Sequence, residues 1–252
     1  MNKIHILTCL SILIFTGCAP SASAIATAIA KTQAAWTPTP TSTVTETPMP
    51  TSTPSPTKLP TSIPVVLYSE DFSNNQSGWL QANSNGVKFQ YSGGQYVIDR
   101  SMGNLMSWAC AKRYFTDAVL TVDTIHVLGD AAQTGLAVIW RYLDNNNFYV
   151  LQLNGENHLV IAKLVKGKLQ TLDDEVYNPA INSGQQINKI AISFEGGTSA
   201  IYFNGLLLKN IQDSAFTAGD ICLGAFSSTT SAVEVSFDNL VIYTVDSWTP
   251  PQ

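Results

Sequence analysis

Charged side chains are scarce in this sequence. Its 252 residues include 13 Lys and Arg and 18 Asp and Glu, or 12% of the chain, against roughly 25% in an average soluble domain. The basic residues form no stripe along the chain, so nucleic acid has no surface that would capture it electrostatically. Hydrophobic residues at 45% and aromatic residues at 10% still predict at least one packed core.

Residues that carry common enzyme chemistry are also few. Of the three histidines, His5 lies in the N-terminal leader, and neither His126 nor His158 has a Cys or carboxylate at metal-ligand spacing. The chain has no Gly-x-Ser-x-Gly sequence, phosphate-binding loop or dinucleotide fingerprint. These absences disfavour serine hydrolases, nucleotide-dependent enzymes and zinc enzymes.

The first 17 residues, MNKIHILTCLSILIFTG, have the composition of a secretory signal. They carry one early Lys and an apolar run too short for a stable transmembrane span. The ending Phe15-Thr16-Gly17-Cys18 resembles the lipobox of bacterial lipoproteins, although Phe15 replaces the usual Leu. The resemblance implies that Cys18 carries lipid and that the exported protein is membrane-anchored at the cell surface. An ordinary cleaved signal and a short uncleaved anchor are the alternatives.

Two segments separate this signal from a domain at residues 65–252. Residues 18–36 are Ala-rich and suit a short helix that would be marginal alone. In residues 37–64, 22 of 28 residues are Pro, Thr or Ser, which predicts a disordered, extended stalk because Pro blocks helices and sheet ladders. At about 3.1 Å per residue, such a stalk reaches roughly 90 Å. We expect it to lift the domain away from the membrane.

Cysteine is used sparingly. If Cys9 leaves with the signal and Cys18 carries lipid, Cys110 and Cys222 remain as a pair in an oxidising compartment. Both lie in apolar, strand-like contexts. A disulfide and two buried free thiols are therefore both compatible with the sequence.

The domain consists of short β-branched or aromatic runs separated by Gly and Asn turn signals. Asn204-Gly205 is the sharpest hairpin signal, because both central positions of a type I′ turn require positive φ. The predicted strands are Gln95–Asp99, Ala118–Val127, Gly135–Tyr142, Phe148–Asn154, Leu159–Val165, Ile187–Phe194, Ala200–Phe203, Leu206–Lys209, Asp220–Phe226 and Val233–Tyr243. This pattern predicts an all-β sandwich.

Four stretches of the domain carry a family resemblance. They are Glu70-Asp71-Phe72 with Ser77-Gly78-Trp79, the hairpin Tyr91–Ile98, Trp140-Arg141-Tyr142 followed by Asn146–Tyr149, and Val235–Leu240. Together they resemble concanavalin A-like lectin/glucanase jelly rolls, a superfamily that includes laminin-G-like domains, over residues 67–245. The resemblance implies two antiparallel sheets and a concave face on which relatives bind or cut glycans. Function must be argued from the site, because a fold does not fix it.

The catalytic pattern of the glucanases in this superfamily is missing. Those enzymes carry Glu-x-Asp-x-x-Glu on one strand, and a retaining mechanism needs carboxyl groups about 5–5.5 Å apart. None of the 18 acidic residues has that spacing. Asp173–Glu175 is predicted to be a solvated turn, and Asp117 and Asp123 would lie about 20 Å apart along a strand. The sequence therefore leans away from an enzyme.

A ligand site is predicted on three central strands that are apolar except for Arg141, Gln152 and Lys163. Because an unpaired buried cation is costly, we expect these side chains to share the face that opens to water. Alternation then adds Ile139, Phe148, Val150 and Ile161 to that face and turns Tyr149, Leu151 and Leu153 into the core.

The hypothesis is that Arg141, Phe148, Gln152 and Lys163 line a shallow glycan site flanked by Trp108 or Trp140. A solvated outer sheet with scattered polar residues is the alternative.

A second prediction concerns calcium. Glu70 and Asp71 open the domain and Asp238 lies in its last strand, and the terminal strands of such jelly rolls commonly pair. A loose cluster of carboxylate oxygens suits Ca²⁺ better than Mg²⁺ or Zn²⁺. The alternative is that Asp71 and Asp238 only cap strand ends.

These patterns favour a surface lipoprotein that displays a non-catalytic, lectin-like domain for a glycan. A protein-interaction or structural module of the same fold is the second hypothesis. A divergent glycoside hydrolase with its carboxylates on loops is the third.

Overall fold

The computed structural model describes residues 64–101, 103, 105–176 and 178–250. The signal peptide, the Ala-rich segment and nearly all of the stalk lie outside the described residues, as does the predicted lipidation site Cys18. No helix within the described ranges is long and apolar enough to cross a membrane.

The described residues form two antiparallel sheets, as the sequence predicts. The nine-stranded sheet contains β1 (Val66–Glu70), β2 (Ala82–Ser84), β3 (Val87–Ser92), β4 (Gln95–Arg100), β6 (Ala118–Gly129), β11 (Asn188–Glu195), β12 (Thr198–Phe203), β13 (Leu206–Gln212) and β15 (Val233–Tyr243). The six-stranded sheet contains β5 (Leu105–Cys110), β7 (Thr134–Asp144), β8 (Asn147–Asn154), β9 (His158–Val165), β10 (Lys168–Val176) and β14 (Asp220–Ser227).

Strand order places distant parts of the chain side by side. The larger sheet runs β13-β12-β11-β6-β15-β4-β3-β2, with β1 also pairing with β15. The smaller sheet runs β10-β9-β8-β7-β14-β5. The ten predicted strands all exist, and Asn204 and Gly205 both have positive φ in the turn between β12 and β13.

One predicted turn is in fact a strand. Asp173 and Asp174 lie in β10, where Asp173 is opposite Ile161 of β9. Strand β10 is the edge of its sheet, and edge strands commonly carry charged side chains that discourage pairing with other chains. The acidic residues of this edge strand therefore give it the sequence pattern of a turn. The Asp173 carboxylate accepts a hydrogen bond from Lys209 Nζ of β13 at 2.7 Å, which links the edges of the two sheets.

The core lies between the two sheets. Trp140 and Tyr149 stack with ring centroids 5.4 Å apart on the inner side of the smaller sheet. Trp140 Nε1 donates to Ser199 Oγ of the larger sheet at 3.2 Å. A second aromatic cluster, in which Phe72 and Tyr96 stack at 5.3 Å, closes the region where the chain enters the domain. The hydrogen bond from Trp140 to Ser199 thus links the two sheets.

Cys110 and Cys222 form a disulfide. They are directly opposite each other on β5 and β14, so the bond fastens an edge strand to its neighbour.

Candidate functional site

The six residues of the predicted glycan site do not come together. Phe148, Gln152 and Trp108 lie on the outer face of the six-stranded sheet. Trp140 and Lys163 face the sandwich interior, and Arg141 is fully buried. Tyr149, Leu151 and Leu153 occupy the core as expected, and Ile139, Phe148 and Val150 lie on the opposite face as expected. Ile161 is opposite Leu151 and therefore belongs to the core.

The prediction that Arg141 faces solvent is wrong because β7 bulges there. Between the pairs Trp140–Tyr149 and Asp144–Asn147, β7 has two more residues than β8, and Arg141 adopts φ 51°. The alternation of side chains between the two faces of β7 is therefore interrupted at Arg141. The guanidinium is 0% exposed, and its NH1 nitrogen donates to the carbonyl oxygens of Gly196 and Phe216 at 2.6 and 2.8 Å. Its NH2 nitrogen donates to Asp117 Oδ1 at 3.3 Å. The buried cation is thus held by two backbone carbonyls and by an ion pair with Asp117.

The prediction that Lys163 faces solvent is also wrong, although β8 and β9 pair without a bulge at this point of the sheet. Lys163 is opposite Tyr149 on the inner side of the sheet, and its ammonium group pairs with the Asp213 carboxylate. The Tyr149 hydroxyl donates to Asp213 Oδ1 at 2.6 Å. Burial opposes ionisation of Asp213, yet the hydrogen bonds from Lys163 and Tyr149 hold its pKa below the ordinary value. Burial and the neighbouring Asp213 raise the pKa of Tyr149 to about 12.

We call the outer side of the smaller sheet the apolar face. Its buried residues are Ala137, Ile139, Phe148, Val150, Ala162 and Cys222, and partly buried side chains that pack around them include Met106, Trp108, Tyr142, Val160 and Leu164. Gln152 donates to the Met106 sulfur at 3.7 Å. Trp108 packs on Phe148 with centroids 5.6 Å apart. This surface offers few polar groups to orient a hydroxyl-rich ligand.

A different site lies on the outer side of the nine-stranded sheet. We call it the outer groove, a cavity of about 640 Å³ between β12 and β15. Its lining includes Thr121, Asp123, Lys189, Ala191, Tyr202, Asn239, Val241 and Trp248. Tyr202, Ala191, Thr121 and Val241 are successive cross-strand partners. Because Ala191 and Thr121 are small and lie between larger neighbours, the sheet surface is hollow there.

Aromatic rings form one wall of the outer groove. Tyr202 and Trp248 pack edge to face with centroids 5.3 Å apart. Trp248 follows a short 3-10 turn, Val245–Ser247, that returns the C-terminal segment to the sheet. Aromatic rings at such a surface combine apolar area with a polar group.

Hydrogen-bonding side chains lie beside this wall. Lys189 and Asp123 are cross-strand partners, and Lys189 Nζ lies 3.3 Å from Asp123 Oδ1. Asn239 Nδ2 donates to Asp123 Oδ2 at 3.1 Å. The Lys189 side chain is 68% exposed and that of Asp123 is 17% exposed. The groove therefore presents a cation, a carboxylate and an amide next to its aromatic wall.

A second cavity of about 320 Å³ adjoins the outer groove. Its lining includes Ser69, Asp71 and Asn74, together with Asn239 and Val241, which also line the outer groove. We call it the side cavity.

The predicted calcium ligands lie near the side cavity. Strand β1 pairs with β15 as expected, with Glu70 opposite Leu240. Each predicted carboxylate already accepts a backbone N–H: Glu70 from Phe72, Asp71 from Ser73 and Asp238 from Asn239. Within the described ranges, no three His, Cys, Asp or Glu side chains form a group that could hold a metal. Burial, and next the charges of Asp123 and Asp71, raise the pKa of Asp238. Calcium stays a prediction.

No protein-family model and no curated protein matches this sequence. Among solved structures, the carbohydrate-binding module CBM66 from Bacillus subtilis is similar with a TM-score of 0.55 and 18% identity, over 66% of this chain and 96% of that one. A Bacillus licheniformis β-glucanase has a TM-score of 0.53 and 10% identity, over 70% and 97%. A Bacillus subtilis protein of unknown function with a galectin-like fold has a TM-score of 0.52 and 11% identity, over 71% of this chain and 96% of that one.

The fold is a concanavalin A-like jelly roll. The resemblance seen in the sequence is thereby confirmed at the level of fold. At these low identities, the similarity establishes nothing finer than the jelly roll.

Sequence reasoning missed the outer groove of this jelly roll. Strand β6 alternates clearly, which places Thr121 and Asp123 on its outer side. The alternation of β11 does the same for Lys189 and Ala191. What the sequence does not reveal is that β12, β11, β6 and β15 are neighbours in that order. Without the order, these residues appear as unrelated surface positions.

Proposed function

We propose that this protein is a non-catalytic carbohydrate-binding protein and that the outer groove holds the glycan. One observation carries the proposal: the aromatic pair Tyr202 and Trp248 lies in the same groove as Lys189, Asp123 and Asn239. The similar solved structures include a carbohydrate-binding module and a β-glucanase, which makes a glycan the ligand class to test first.

The chemistry of the groove suits a sugar. A sugar ring has an apolar C–H face that can pack on an aromatic ring, and its hydroxyls donate to a carboxylate and accept from an ammonium or amide. The volume of about 640 Å³ lies within the ordinary range for ligand sites, about 300–1,000 Å³. An aromatic wall with a few convergent polar groups therefore gives both contact area and orientation.

The described lining of the outer groove has few carboxylates. Glycoside hydrolysis ordinarily needs two carboxyl groups that flank the scissile bond. Among the described side chains that line the outer groove, Asp123 is the one carboxylate. Its two oxygens interact with Lys189 and Asn239. Asp123 thus suits a hydrogen-bond acceptor for sugar hydroxyls, and release of reducing sugar from a polysaccharide would overturn the non-catalytic assignment.

A glycan array followed by calorimetry with the best ligand tests the proposal. Trp248→Ala and Tyr202→Ala each remove one ring of the wall, and we expect affinity to fall about tenfold or more, which corresponds to about 1.4 kcal/mol. Tyr114→Ala is the matched control, because Tyr114 is a highly exposed aromatic residue outside the groove. Binding that is equally strong in all three variants, or no binding to any glycan, would contradict the proposal.

A protein partner is the second candidate, favoured by the apolar face. Phe148 is buried there beneath a ring of partly exposed side chains such as Trp108, Tyr142 and Leu164. Contiguous apolar surface of this kind is typical of protein contacts. Trp108→Asp would abolish such a contact and leave glycan binding in the outer groove unchanged, which separates the two functions.

We further propose that the domain is displayed at the cell surface by lipid on Cys18 and a stalk at residues 37–64. The sequence of the signal and the Pro, Thr and Ser content of the stalk support this. Incorporation of labelled fatty acid into the protein, and its loss in Cys18→Ser, would establish the anchor. Labelling that persists in Cys18→Ser would refute it.

A further inference from the structure

The outer groove and the side cavity are two parts of one depression. They share Asn239 and Val241 as lining residues. Strand β15 bulges there, because β15 advances three residues from Asp238 to Val241 while β6 advances two from Asp123 to Thr121. Asn239 occupies the bulge with φ 50°, a conformation that Asn tolerates better than most residues. The bulge directs its amide to the junction between the cavities.

A continuous row of side chains crosses the sheet beneath this depression. Cross-strand pairing links Leu207, Tyr202, Ala191, Thr121, Val241 and Ser69 in six neighbouring strands, from β13 to β1. Adjacent strands lie about 4.8 Å apart, so the row is roughly 24 Å long. Leu207 at its far end is 49% exposed. The row is much longer than a single sugar ring is wide.

Polar groups follow one side of the row. Lys189, Asp123 and Asn239 lie along the outer groove, and Asp71 and Asn74 continue along the side cavity. Lys189 is the one cation among the described residues that line either cavity, against the carboxylates of Asp123, Glu70 and Asp71. A ligand with repeated negative charges would meet net repulsion there.

We infer that the ligand is a linear, non-anionic polysaccharide that binds across the strands with several consecutive sugars. This inference rests on the proposed glycan function of the outer groove. One sugar stacks on Tyr202 and Trp248, and following sugars pass over Val241 into the side cavity. There, Ser69, Asn74 and the Asn239 amide meet their hydroxyls.

The test uses ladders of fluorescently tagged oligosaccharides, from disaccharide to hexasaccharide, prepared from neutral glucan, mannan, xylan, galactan and levan. The full chain, purified in detergent, is expected to retain at least one neutral ladder, with affinity that rises about tenfold or more between the shortest and longest members. A polygalacturonate ladder is expected not to bind. Stronger retention of polygalacturonate than of every neutral ladder would overturn the non-anionic assignment.

The variant Ser69→Trp locates the extra affinity. Ser69 is exposed on β1 and lines the side cavity. A Trp side chain at this position would occupy the side cavity without disturbing the core. We expect the longest oligosaccharide to lose about tenfold in affinity while the disaccharide is unaffected. Thr116→Trp, at an exposed position outside both cavities, is the matched control.

The outcomes separate this inference from the function on which it rests. Equal affinity for short and long oligosaccharides, with Ser69→Trp without effect, would overturn the extended binding mode and leave glycan binding intact. Retention of no ladder at all would overturn both.

Discussion

The outer faces of the two sheets differ in how their strands are built. In β6, buried and partly exposed residues alternate from Leu120 to Val127, which places Thr121 and Asp123 on the outer side of the larger sheet. In β7 and β8, buried residues occur in unbroken runs, so both sides of the smaller sheet are apolar. The alternating strands, not the uniformly apolar ones, carry the outer groove with its polar side chains.

Isolated polar residues in apolar strands are poor markers of a ligand site in this protein. Arg141 and Lys163 stand out in apolar strands, yet each has acceptors within the fold: two backbone carbonyls and Asp117 for Arg141, and Asp213 for Lys163. A lone polar side chain in an apolar strand can therefore stabilise the fold through hydrogen bonds or an ion pair within it. The polar residues of the outer groove are less conspicuous because they lie among other partly exposed residues on the outer sides of alternating strands.

The largest effect is expected from truncation on the apolar face. Phe148→Ala removes a ring that is 0% exposed and should lower the free energy of unfolding by about 3–5 kcal/mol. Tyr202→Ala, on the outer groove, is partly exposed and should cost less than half as much. Urea denaturation of both variants measures the difference. Equal losses of unfolding free energy in the two variants would contradict this difference between the apolar face and the outer groove.

Loss of the disulfide should come next. Replacing Cys110 and Cys222 together by Ser should reduce the free energy of unfolding by about 2–5 kcal/mol, because the bond closes a long loop in the unfolded chain. Because the bond belongs to the smaller sheet, affinity at the outer groove should not change. Denaturation with and without reductant, together with calorimetry, checks both statements. A large loss of glycan affinity would place the ligand on the apolar face instead.

A smaller, pH-dependent effect is expected at Asp213. Its pKa lies below the ordinary value of 3.8 in the folded state, so the carboxylate stabilises the fold above that pH. This contribution is lost as the pH falls through the lowered folded-state pKa. Asp213→Asn should therefore cost about 1–3 kcal/mol at neutral pH, and the gap from the unaltered protein should narrow in acid. If the difference in free energy of unfolding between Asp213→Asn and the unaltered protein stays constant from neutral to acid pH, the stabilising role of the Lys163–Asp213 pair is contradicted.

The smallest effect concerns calcium beside the outer groove. An ion held by Glu70, Asp71 and Asp238 would raise the melting temperature in proportion to the logarithm of calcium concentration, and chelator would reverse the rise. Asp238→Asn should remove the response, whereas Asp130→Asn, at an exposed acid elsewhere, should not. Identical melting curves with calcium and with chelator would remove calcium from this protein.

Much of the fold could be predicted because its signals are local. The Asn204-Gly205 turn and the alternation of β6 depend on a few adjacent residues. Strand β10 was missed because the charges of an edge strand resemble those of a turn. The site was harder to predict, since Tyr202 and Trp248 meet only when the C-terminal segment returns to the sheet.

The sequence alone predicts the all-β class, the position of most strands and which residues of β8 face the core. These follow from side-chain alternation with a period of two and from turn chemistry. The bulge that turns Arg141 inward and the row formed by Tyr202, Ala191, Thr121 and Val241 appear only in the folded protein. Strand order and bulges arise from pairing between distant segments, which leaves no local mark on the chain.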